Sequence, residues 1–283
     1  MFDLIIVRYA EIGLKSESVR RRFERQLIEN IRYALNREGI VATIQTKRGR
    51  IFLITRQIER ALEVLKKIFG VASVSPSAET SSTMKSIIKK SLEMMAEIPK
   101  DGKTFAVRVR RTGNHDFTSQ DVAVEVGREI KEKYNLKVNL EKPDIELFVE
   151  VRDEKSYLFF EKIKGPGGLP AGTQGKILSL IRNRNDILAL WYMLRRGCSA
   201  RLLVENEETT LNKFVREWYV ENHVEISYGE IEENLKGCIA MVTGETIDDI
   251  NLDMDKFLNI PVLRPLVSFD ESRLREMIER IGI

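Results

Sequence analysis

The stretch GPGGLPAGTQG, Gly165–Gly175, decides how this chain of 283 residues is divided. Five of the 17 glycines and two of the seven prolines fall within it, so it favours turns over a regular helix or strand. The charge changes sign at the same place. Residues 1–176 carry 33 Lys and Arg against 24 Asp and Glu, whereas residues 177–283 carry 13 against 19. Residues 165–176 are therefore predicted to link a basic front to an acidic rear.

The composition excludes several classes of protein. Hydrophobic residues make up 43% of the chain, which is enough for a sizeable core and argues against wholesale disorder. No run approaches the roughly 18 apolar residues of a membrane-spanning helix, and the first residues lack the basic region of a signal peptide. The two cysteines, Cys198 and Cys238, form no C-x-x-C pair, and His115 and His223 are the only histidines. We expect a cytoplasmic protein without a metal site.

Two α/β units are predicted on the amino-terminal side of the linker. Residues 1–77 show the order strand, helix, strand, strand, helix, strand, which is that of a ferredoxin-like unit. Its first helix starts at Ser16 or Ser18 and carries an apolar residue at every fourth position. Residues 47–49 are predicted to form the hairpin turn between the middle strands. Residues 78–164 show a helix, a strand, a second helix and two further strands.

A basic surface is predicted on the first helix and near the linker. The cationic candidates for phosphate contact there are Lys15, Arg20, Arg21, Arg22, Arg25, Lys162 and Lys164. The alternative for the helix is a solvated face on which Glu17, Glu24 and Glu29 supply partners at a spacing of four residues. The alternative for the two lysines is that they merely flank a linker, since the glycine spacing does not match a phosphate-binding P-loop.

The segment VRVRRTGNHDFTSQ, Val107–Gln120, is a second basic candidate. It is predicted to place two arginines on one face of a strand, a third at the start of a turn, and a capped helix after Thr118. Cations, an imidazole, an aromatic ring and a helix N-terminus together suit contacts to phosphates and bases. The candidate residues are Arg108, Arg110, Arg111, Asn114 and His115. A purely structural turn, or an acid–base pair of His115 with Asp116, are the alternatives.

The rear of the chain, residues 177–283, alternates apolar runs with helical patterns. Ile177–Ile181, Ala200–Val204 and Cys238–Val242 are the predicted strands, the last a central one. This alternation is typical of a small Rossmann-like α/β domain with a parallel sheet and crossover helices. Gly244 directly follows a strand, where residues line sites at the carboxyl edge of such sheets.

Several motifs together resemble the tRNA 4-thiouridine synthetase family, which contains the ThiI-type tRNA sulfurtransferases. The similar stretches are RYAEIGLKS at Arg8–Ser16, VRVRRTGNHDFTSQDVAVEVG at Val107–Gly127, GPGGLPAGTQGK at Gly165–Lys176, VTGE at Val242–Glu245 and PVLRPL at Pro261–Leu266. The resemblance implies an N-terminal ferredoxin-like domain, a THUMP domain that binds RNA, and an α/β domain that binds ATP. It also implies tRNA thiolation with a sulfur donor such as a cysteine desulfurase, and thiamine biosynthesis in some members. A homodimer is a separate expectation, which does not come from the resemblance.

The third domain departs from that family's pattern. The positions of the SGGxDS pyrophosphatase loop and of the later glycine fall on Ile181, Arg182, Asn183, Asn185, Asp186 and Gly244. Arg182 and Asn183 replace glycines whose backbone amides would approach phosphate. Four added carboxylates at residues 248, 249, 253 and 255 would repel ATP. Neither cysteine aligns with the family's catalytic one, which would lie beyond Ile283.

We therefore expect a tRNA-binding protein of this type that lacks its own ATP-dependent adenylation and needs no cofactor. One alternative is an active tRNA sulfurtransferase, alone or with a partner that supplies ATP chemistry and sulfur, in which case ATP is the cofactor. The other alternative is a non-catalytic dimerisation or docking module. No residue is predicted to be catalytic.

Overall fold

The computed structural model describes residues 1–47 and 49–283, and it describes Phe257 by its backbone alone. The predicted hairpin turn at residues 47–49 includes Arg48, which lies outside the described residues. The strands are β1 Leu4–Arg8, β2 Thr43–Lys47, β3 Arg50–Ile54, β4 Ser73–Ser81, β5 Thr104–Thr112, β6 Lys137–Val138, β7 Ile145–Arg152, β8 Lys155–Phe159, β9 Ile163–Lys164, β10 Lys176–Ile181, β11 Ser199–Val204, β12 Val224–Ser227, β13 Met241–Val242 and β14 Val262–Leu263.

Helices alternate with these strands along most of the chain. The α-helices are α1 Glu17–Arg37, α2 Ile58–Leu65, α3 Met84–Ala96, α4 Ser119–Tyr134, α5 Arg184–Arg195, α6 Glu208–Glu217, α7 Ile231–Asn234, α8 Asp253–Phe257 and α9 Glu271–Ile281. Short 3₁₀ helices cover Glu11–Leu14 and Glu221–His223. The predicted order β-α-β-β-α-β at the start of the chain is confirmed as β1-α1-β2-β3-α2-β4.

Residue contacts divide the chain into two compact units. The first unit comprises Met1–Arg8, Ile40–Leu62 and Ser73–Ile163. The second comprises Tyr9–Gly39, Glu63–Ala72 and Lys164–Ile283. Helix α1 is thus grouped with the rear of the chain. This division by contacts does not test the predicted domain boundaries after residues 77, 164 and 176, because its two units are made of several separate segments of the chain. The boundaries remain predictions.

A single nine-stranded sheet runs through the first unit, in the order β2-β3-β1-β4-β8-β7-β5-β6, with β9 paired to β4. Strand β4 continues from one half of the sheet into the other, because its first part pairs with β1 and its last part, Ala78–Ser81, pairs with β8. The order β2-β3-β1-β4, antiparallel throughout, is that of a ferredoxin-like unit. Strand β5 is parallel to both β7 and β6.

Helices α3 and α4 cover one face of this sheet. The alternation of side chains along strand β7 shows which of its residues lie on each face. Leu147, Val149 and Val151 are fully buried in the apolar cluster beneath the two helices. Because side chains alternate along a strand, the residues at 146, 148, 150 and 152 point to the opposite face. That face carries the polar and aromatic groups of the candidate site.

The second unit contains a five-stranded sheet in the order β12-β11-β10-β13-β14. Every neighbouring pair is parallel, so the predicted parallel sheet is confirmed. The first strand, β10, has β11 on one side and β13 on the other, which places the topological switch point between β10 and β13. The predicted strand Cys238–Val242 is wrong in length, because only Met241–Val242 pair with a neighbour.

A half-buried histidine, His223, lies within the second unit, where α1 approaches residue 172. The Nε2 atom of His223 lies 2.8 Å from Oδ1 of Asn30, whose amide nitrogen donates to the carbonyl of Ala171 at 3.1 Å. Gly172 has a φ of +86°, and a Cβ there would stand 2.7 Å from the imidazole ring. Burial lowers the pKa of His223. The folded chain therefore favours the neutral imidazole.

Stability is expected to fall as the pH falls below about 6.5, where histidine protonates in the unfolded chain. A depressed pKa stabilises the fold above that pH, and the contribution is lost as the pH falls through the lower pKa of the folded state. His223→Gln keeps a donor for Asn30 and should flatten the dependence of Tm on pH between 7 and 5. His115→Gln is the control, and it should retain the slope. Equal slopes for the wild type and His223→Gln would contradict the assignment.

Candidate functional site

A groove with a volume of about 370 Å³ lies on the open face of the nine-stranded sheet. We call it the basic groove, and its cationic and aromatic lining consists of Arg108, Arg110, Phe148, Phe159 and Lys162. The two phenylalanine rings stack with centroids 5.2 Å apart and planes 12° apart. The Nζ atom of Lys162 lies 3.8 Å from the centre of the Phe148 ring. Aromatic faces beside cations are the elements with which proteins hold unpaired bases and their phosphates.

A buried carboxylate forms part of this groove and binds three guanidinium groups. Glu150 is 5% exposed, and its oxygens lie 2.8 Å from Nη2 of Arg8, 3.2 Å from Nε of Arg152 and 3.6 Å from Nε of Arg50. Burial raises the pKa of Glu150, but Arg8, followed by Arg50 and Arg152, outweighs burial and leaves the pKa below its ordinary value. The carboxylate of Glu150 thus interacts with three guanidinium groups at once.

Neighbouring positive charges also act on Lys162. Burial lowers the pKa of Lys162, and the neighbouring charges of Arg8 and Arg110 lower it further. Arg8 itself stands 4.8 Å from the centre of the Phe159 ring. An anion bound between these cations would relieve their repulsion, so the groove is suited to a negatively charged ligand.

The turn after β5 has a structure of its own. Strand β5 continues to Thr112, so Arg111 lies in the strand and not, as predicted, at the start of the turn. His115 Nε2 lies 2.6 Å from the carbonyl oxygen of Asp153, and its Nδ1 lies 3.4 Å from Nη1 of Arg111. Both ring nitrogens therefore face groups other than Asp116, and the alternative of an acid–base pair is not supported.

The structure separates the five candidates of this segment into two sets. Arg108 and Arg110 face the groove, whereas Arg111 alternates to the other face and donates to the carbonyl of Gly113 at 3.0 Å. Asn114 is exposed at the turn. The predicted capping box at Thr118 and Asp121 is confirmed and starts α4 directly after the turn.

In the second unit, helix α1 presents an exposed row of arginines. Viewed along the helix axis, Arg21, Arg22 and Arg25 fall within an arc of about 100°, and all three are exposed. Arg20 is half-buried on the edge of the apolar stripe. Arg21 pairs with Glu17, as the solvated-face alternative requires. The exposed Lys15 precedes the helix, and Lys164 is exposed in β9.

The carboxyl edge of the five-stranded sheet holds the six residues predicted for a degenerate nucleotide site. Ile181 is buried at the end of β10, and Asp186 in the first turn of α5 is fully buried. The carboxylate of Asp186 accepts hydrogen bonds from the backbone amides of Arg182, at 3.0 Å, and of Gly244, at 2.6 Å. It also accepts from Nε and Nη2 of Arg182, each at 3.2 Å.

Asparagine and glycine complete this arrangement. The side chain of Asn183 caps α5 by accepting from the amides of Asn185 at 2.9 Å and of Asp186 at 3.3 Å. Gly244 packs against the start of α5 so closely that a Cβ there would stand 2.4 Å from the backbone of Asn185 and Asp186. The backbone amides of Asn185 and Asp186, in the first turn of α5, therefore already donate to the side chain of Asn183.

Ion pairs connect Arg182 of this loop with residues further along the chain. Nε of Arg264 donates to Glu245 at 2.6 Å, and its Nη2 donates to Asp255 at 2.7 Å. Glu245, which is 4% exposed, also lies 4.0 Å from Nη2 of Arg182. The hydrogen bonds of Arg264 raise its pKa, and Asp255 contributes the largest part. Two arginines, Arg182 and Arg264, thus pair with three carboxylates, those of Asp186, Glu245 and Asp255, at this edge of the sheet.

Sequence reasoning missed the residues that depend on long-range contacts. Arg8, Arg50, Glu150 and Arg152 were not among the candidates, although Glu150 interrupts the apolar strand Ile145–Arg152. A buried acid in such a strand is a signal that a cation lies opposite. Phe148 lies two residues before Glu150 in the same strand, so the alternation of side chains predicts that both lie on one face of the sheet.

The two cysteines and the described acidic residues offer no further reactive group. Burial raises the pKa of both the Cys198 and the Cys238 thiol, which disfavours the nucleophilic thiolate. Within residues 1–47 and 49–283, no group of three or more His, Cys, Asp or Glu side chains is arranged to hold a metal ion. In the same residues, no helix is long and apolar enough to cross a membrane.

Comparison with known proteins links these features to one family. Residues 4–75 match the ThiI ferredoxin-like domain, and residues 81–161 match the THUMP domain. A probable tRNA sulfurtransferase of Methanobrevibacter smithii is 32% identical over 337 residues, which cover 99% of this chain and 87% of the relative. Another, of Methanothermobacter thermautotrophicus, is 30% identical over 335 residues, which cover 99% and 85%. Both alignments exceed 283 residues, so these relatives contain residues without a counterpart here.

Two crystal structures share the fold. Protein PH1313 of Pyrococcus horikoshii is 30% identical with a TM-score of 0.86, and the match covers 99% of this chain and 100% of that one. A 4-thiouridine synthetase, solved with RNA and bound ATP, is 24% identical with a TM-score of 0.83 over 100% of this chain and 85% of that one. The predicted fold class is thereby confirmed. This chain belongs to the ThiI-type tRNA sulfurtransferase family, with a ferredoxin-like domain, a THUMP domain and a parallel α/β domain in that order.

Proposed function

We propose that this chain binds tRNA through the basic groove and does not itself carry out the ATP-dependent adenylation of the nucleotide. The observation that carries the first part is the groove, in which Arg110 and Lys162 lie beside the stacked rings of Phe148 and Phe159. The observation that carries the second part is the buried carboxylate of Asp186, which occupies the amide donors of the former phosphate loop.

The groove supports RNA as the polyanion because it combines two kinds of contact. Cations at its rim neutralise phosphates, and flat aromatic faces stack on bases that are not paired. It opens on the sheet face opposite α3 and α4 and therefore needs no rearrangement of the core. The matched THUMP domain and the relative that was solved with RNA support the same ligand class. The exposed arginines of α1 supply a second contact to phosphates.

The residues of the third domain do not fit the phosphates of ATP. A phosphate group at the β10–α5 loop would meet the carboxylates of Asp186 and Glu245, both fully or almost fully buried. Four amides at this place, those of Arg182, Asn185, Asp186 and Gly244, already donate to the side chains of Asp186 and Asn183. The guanidinium of Arg182 is held by Asp186, and these hydrogen bonds raise its pKa against the effect of burial. Like-charge repulsion and lost donors both argue against nucleotide binding.

One assay tests both parts of the proposal. We expect the purified chain to bind tRNA with an affinity that falls steeply with salt, and to form no 4-thiouridine above background with ATP and a persulfide donor. A related tRNA sulfurtransferase serves as the positive control under identical conditions. Filter binding measures the affinity, and nucleoside analysis of the tRNA measures the product. Product formation at the rate of the positive control would refute the second part while leaving the first intact.

A second candidate is an active sulfurtransferase that obtains activated nucleotide and sulfur from partners, such as a cysteine desulfurase and a separate ATP-binding protein. The names and the coverage of the curated relatives favour it. Addition of a cell extract, with and without this chain, distinguishes it from the first candidate. Thiolation that requires both the extract and the chain would establish it. Sedimentation of the chain alone tests whether it forms the homodimer that we propose for either case.

A further inference from the structure

We propose that the carboxylate of Asp186 is a built-in substitute for a phosphate group at the switch point of the parallel sheet. This inference rests on the proposed function, in which the domain binds no ATP, and it identifies what fills the place instead. The ligand class that the place accepts once the carboxylate is removed is a small tetrahedral oxyanion, such as inorganic phosphate or sulfate.

The first argument is the set of donors around Asp186. Two are backbone amides and two are guanidinium nitrogens, all within 3.2 Å of its oxygens. Amides at the carboxyl edge of a parallel sheet, assisted by an arginine, are the donors with which proteins bind phosphate. Here the acceptor belongs to the chain itself, and it is fully buried.

The second argument is that the carboxylate joins two loops distant in sequence. The amide of Arg182 follows β10, and the amide of Gly244 follows β13, so their common acceptor bridges the switch point. A phosphate bound at this point would make the same bridge. The bridge is possible because residue 244 is glycine: a side chain there would collide with the backbone at Asp186.

The third argument concerns charge. Arg182 is partly exposed and has two carboxylates near it, Asp186 at 3.2 Å and Glu245 at 4.0 Å. Removal of Asp186 would leave the two amides without this acceptor and would leave the guanidinium with carboxylates that are more distant, of which Glu245 lies at 4.0 Å. Such a site gains more from a compact anion than from water, because the donors are already positioned.

The test is chemical rescue of Asp186→Ala. We expect its Tm to lie about 5–10 °C below that of the wild type, as for loss of one partner of a buried ion pair. Sodium phosphate or sulfate at about 50 mM should restore at least half of the loss, compared with sodium chloride of equal ionic strength. Sulfate and phosphate stabilise most proteins slightly, so the wild type in the same salts sets the baseline.

Asp249→Ala is the matched control, because Asp249 also accepts from a backbone amide, that of Thr246, but is exposed. In every salt, the Tm of Asp249→Ala should change by the same amount as the Tm of the wild type. Calorimetry should detect phosphate binding to Asp186→Ala and none to the wild type. If Asp186→Ala does not fold, Asp186→Ser, which removes the charge and also vacates most of the place of the carboxylate, undergoes the same titration.

Absence of both rescue and phosphate binding in a folded variant would overturn the inference. Arg182→Ala separates it from a general weakening of the loop, since that variant keeps the carboxylate and should lose stability without rescue by phosphate. Equal rescue of Arg182→Ala would likewise overturn the inference. Binding of ATP by the wild type would refute the proposed function instead, and it is measured separately in chloride buffer.

Discussion

Replacement of Arg110 and Lys162 by glutamate is expected to lower the affinity for tRNA at least about a hundredfold. Both residues line the basic groove, and the neighbouring charges of Arg8 and Arg110 act on Lys162. Each reversal removes a contact to phosphate and adds repulsion, roughly 1.4 kcal/mol or more per residue. The slope of log affinity against log salt should become shallower by about two, which a binding titration at several salt concentrations measures.

Lys85→Glu with Lys89→Glu is the matched control, since it changes the net charge equally. Both lysines are exposed on α3, which covers the other face of the sheet. The control should lose only a small, long-range part of the affinity and keep its salt slope. If both double variants lose affinity equally, the groove is not the binding site and only the overall charge matters.

The structure also ranks the arginines of the segment Val107–Gln120. Reversal of Arg108, Arg110 and Arg111 together is expected to cost at least tenfold in affinity. Arg108 is held by Glu146 at 2.9 Å, and Arg111 is directed towards Gly113 and His115. We therefore expect Arg110→Glu alone to account for most of the effect of the triple variant. A loss carried mainly by Arg111 would indicate that the turn, rather than the groove, binds the RNA.

Replacement of Glu150 by glutamine is expected to lower the free energy of unfolding by about 3–5 kcal/mol. Arg8, Arg50 and Arg152 would then lose the carboxylate that they share, and Arg8 is only 9% exposed, so solvent cannot compensate for the lost charge. Urea unfolding followed by circular dichroism measures the loss. Glu146→Gln is the control, because its pair with Arg108 is more than one third exposed and should contribute at most about 1 kcal/mol.

The effect of Glu150 should depend on pH in a defined direction. Its pKa is lowered in the folded chain, so the stabilisation is complete above the unfolded value of about 4.3 and is lost as the pH falls through the folded value. The difference between the wild type and Glu150→Gln should therefore shrink below about pH 4. Equal stability of Glu150→Gln and Glu146→Gln at pH 7 would contradict this role.

Local patterns in the sequence were sufficient for the elements and for the sheet types. The apolar residue at every fourth position predicts α1, and the pair Thr118 and Asp121 predicts the start of α4. Alternating helices and apolar runs predict the parallel sheet, since parallel neighbours need crossover connections. The family followed from the motifs of the same segments. All these signals act over short distances along the chain, where spacing alone determines which side chains share a face.

The arrangements around Glu150 and around Asp186 depend on contacts between residues that are far apart in the sequence. Arg8 meets Glu150 across 142 positions, and Gly244 meets Asp186 across 58. The first contact requires the pairing of β1, β4, β8 and β7 in one register, and the second requires the approach of two loops permitted by a missing Cβ. A single chain shows no spacing that encodes either. The sequence alone therefore indicated that residues 181–186 depart from the family's loop pattern, whereas the tertiary structure showed that the carboxylate of Asp186 accepts from the amides of Arg182 and Gly244.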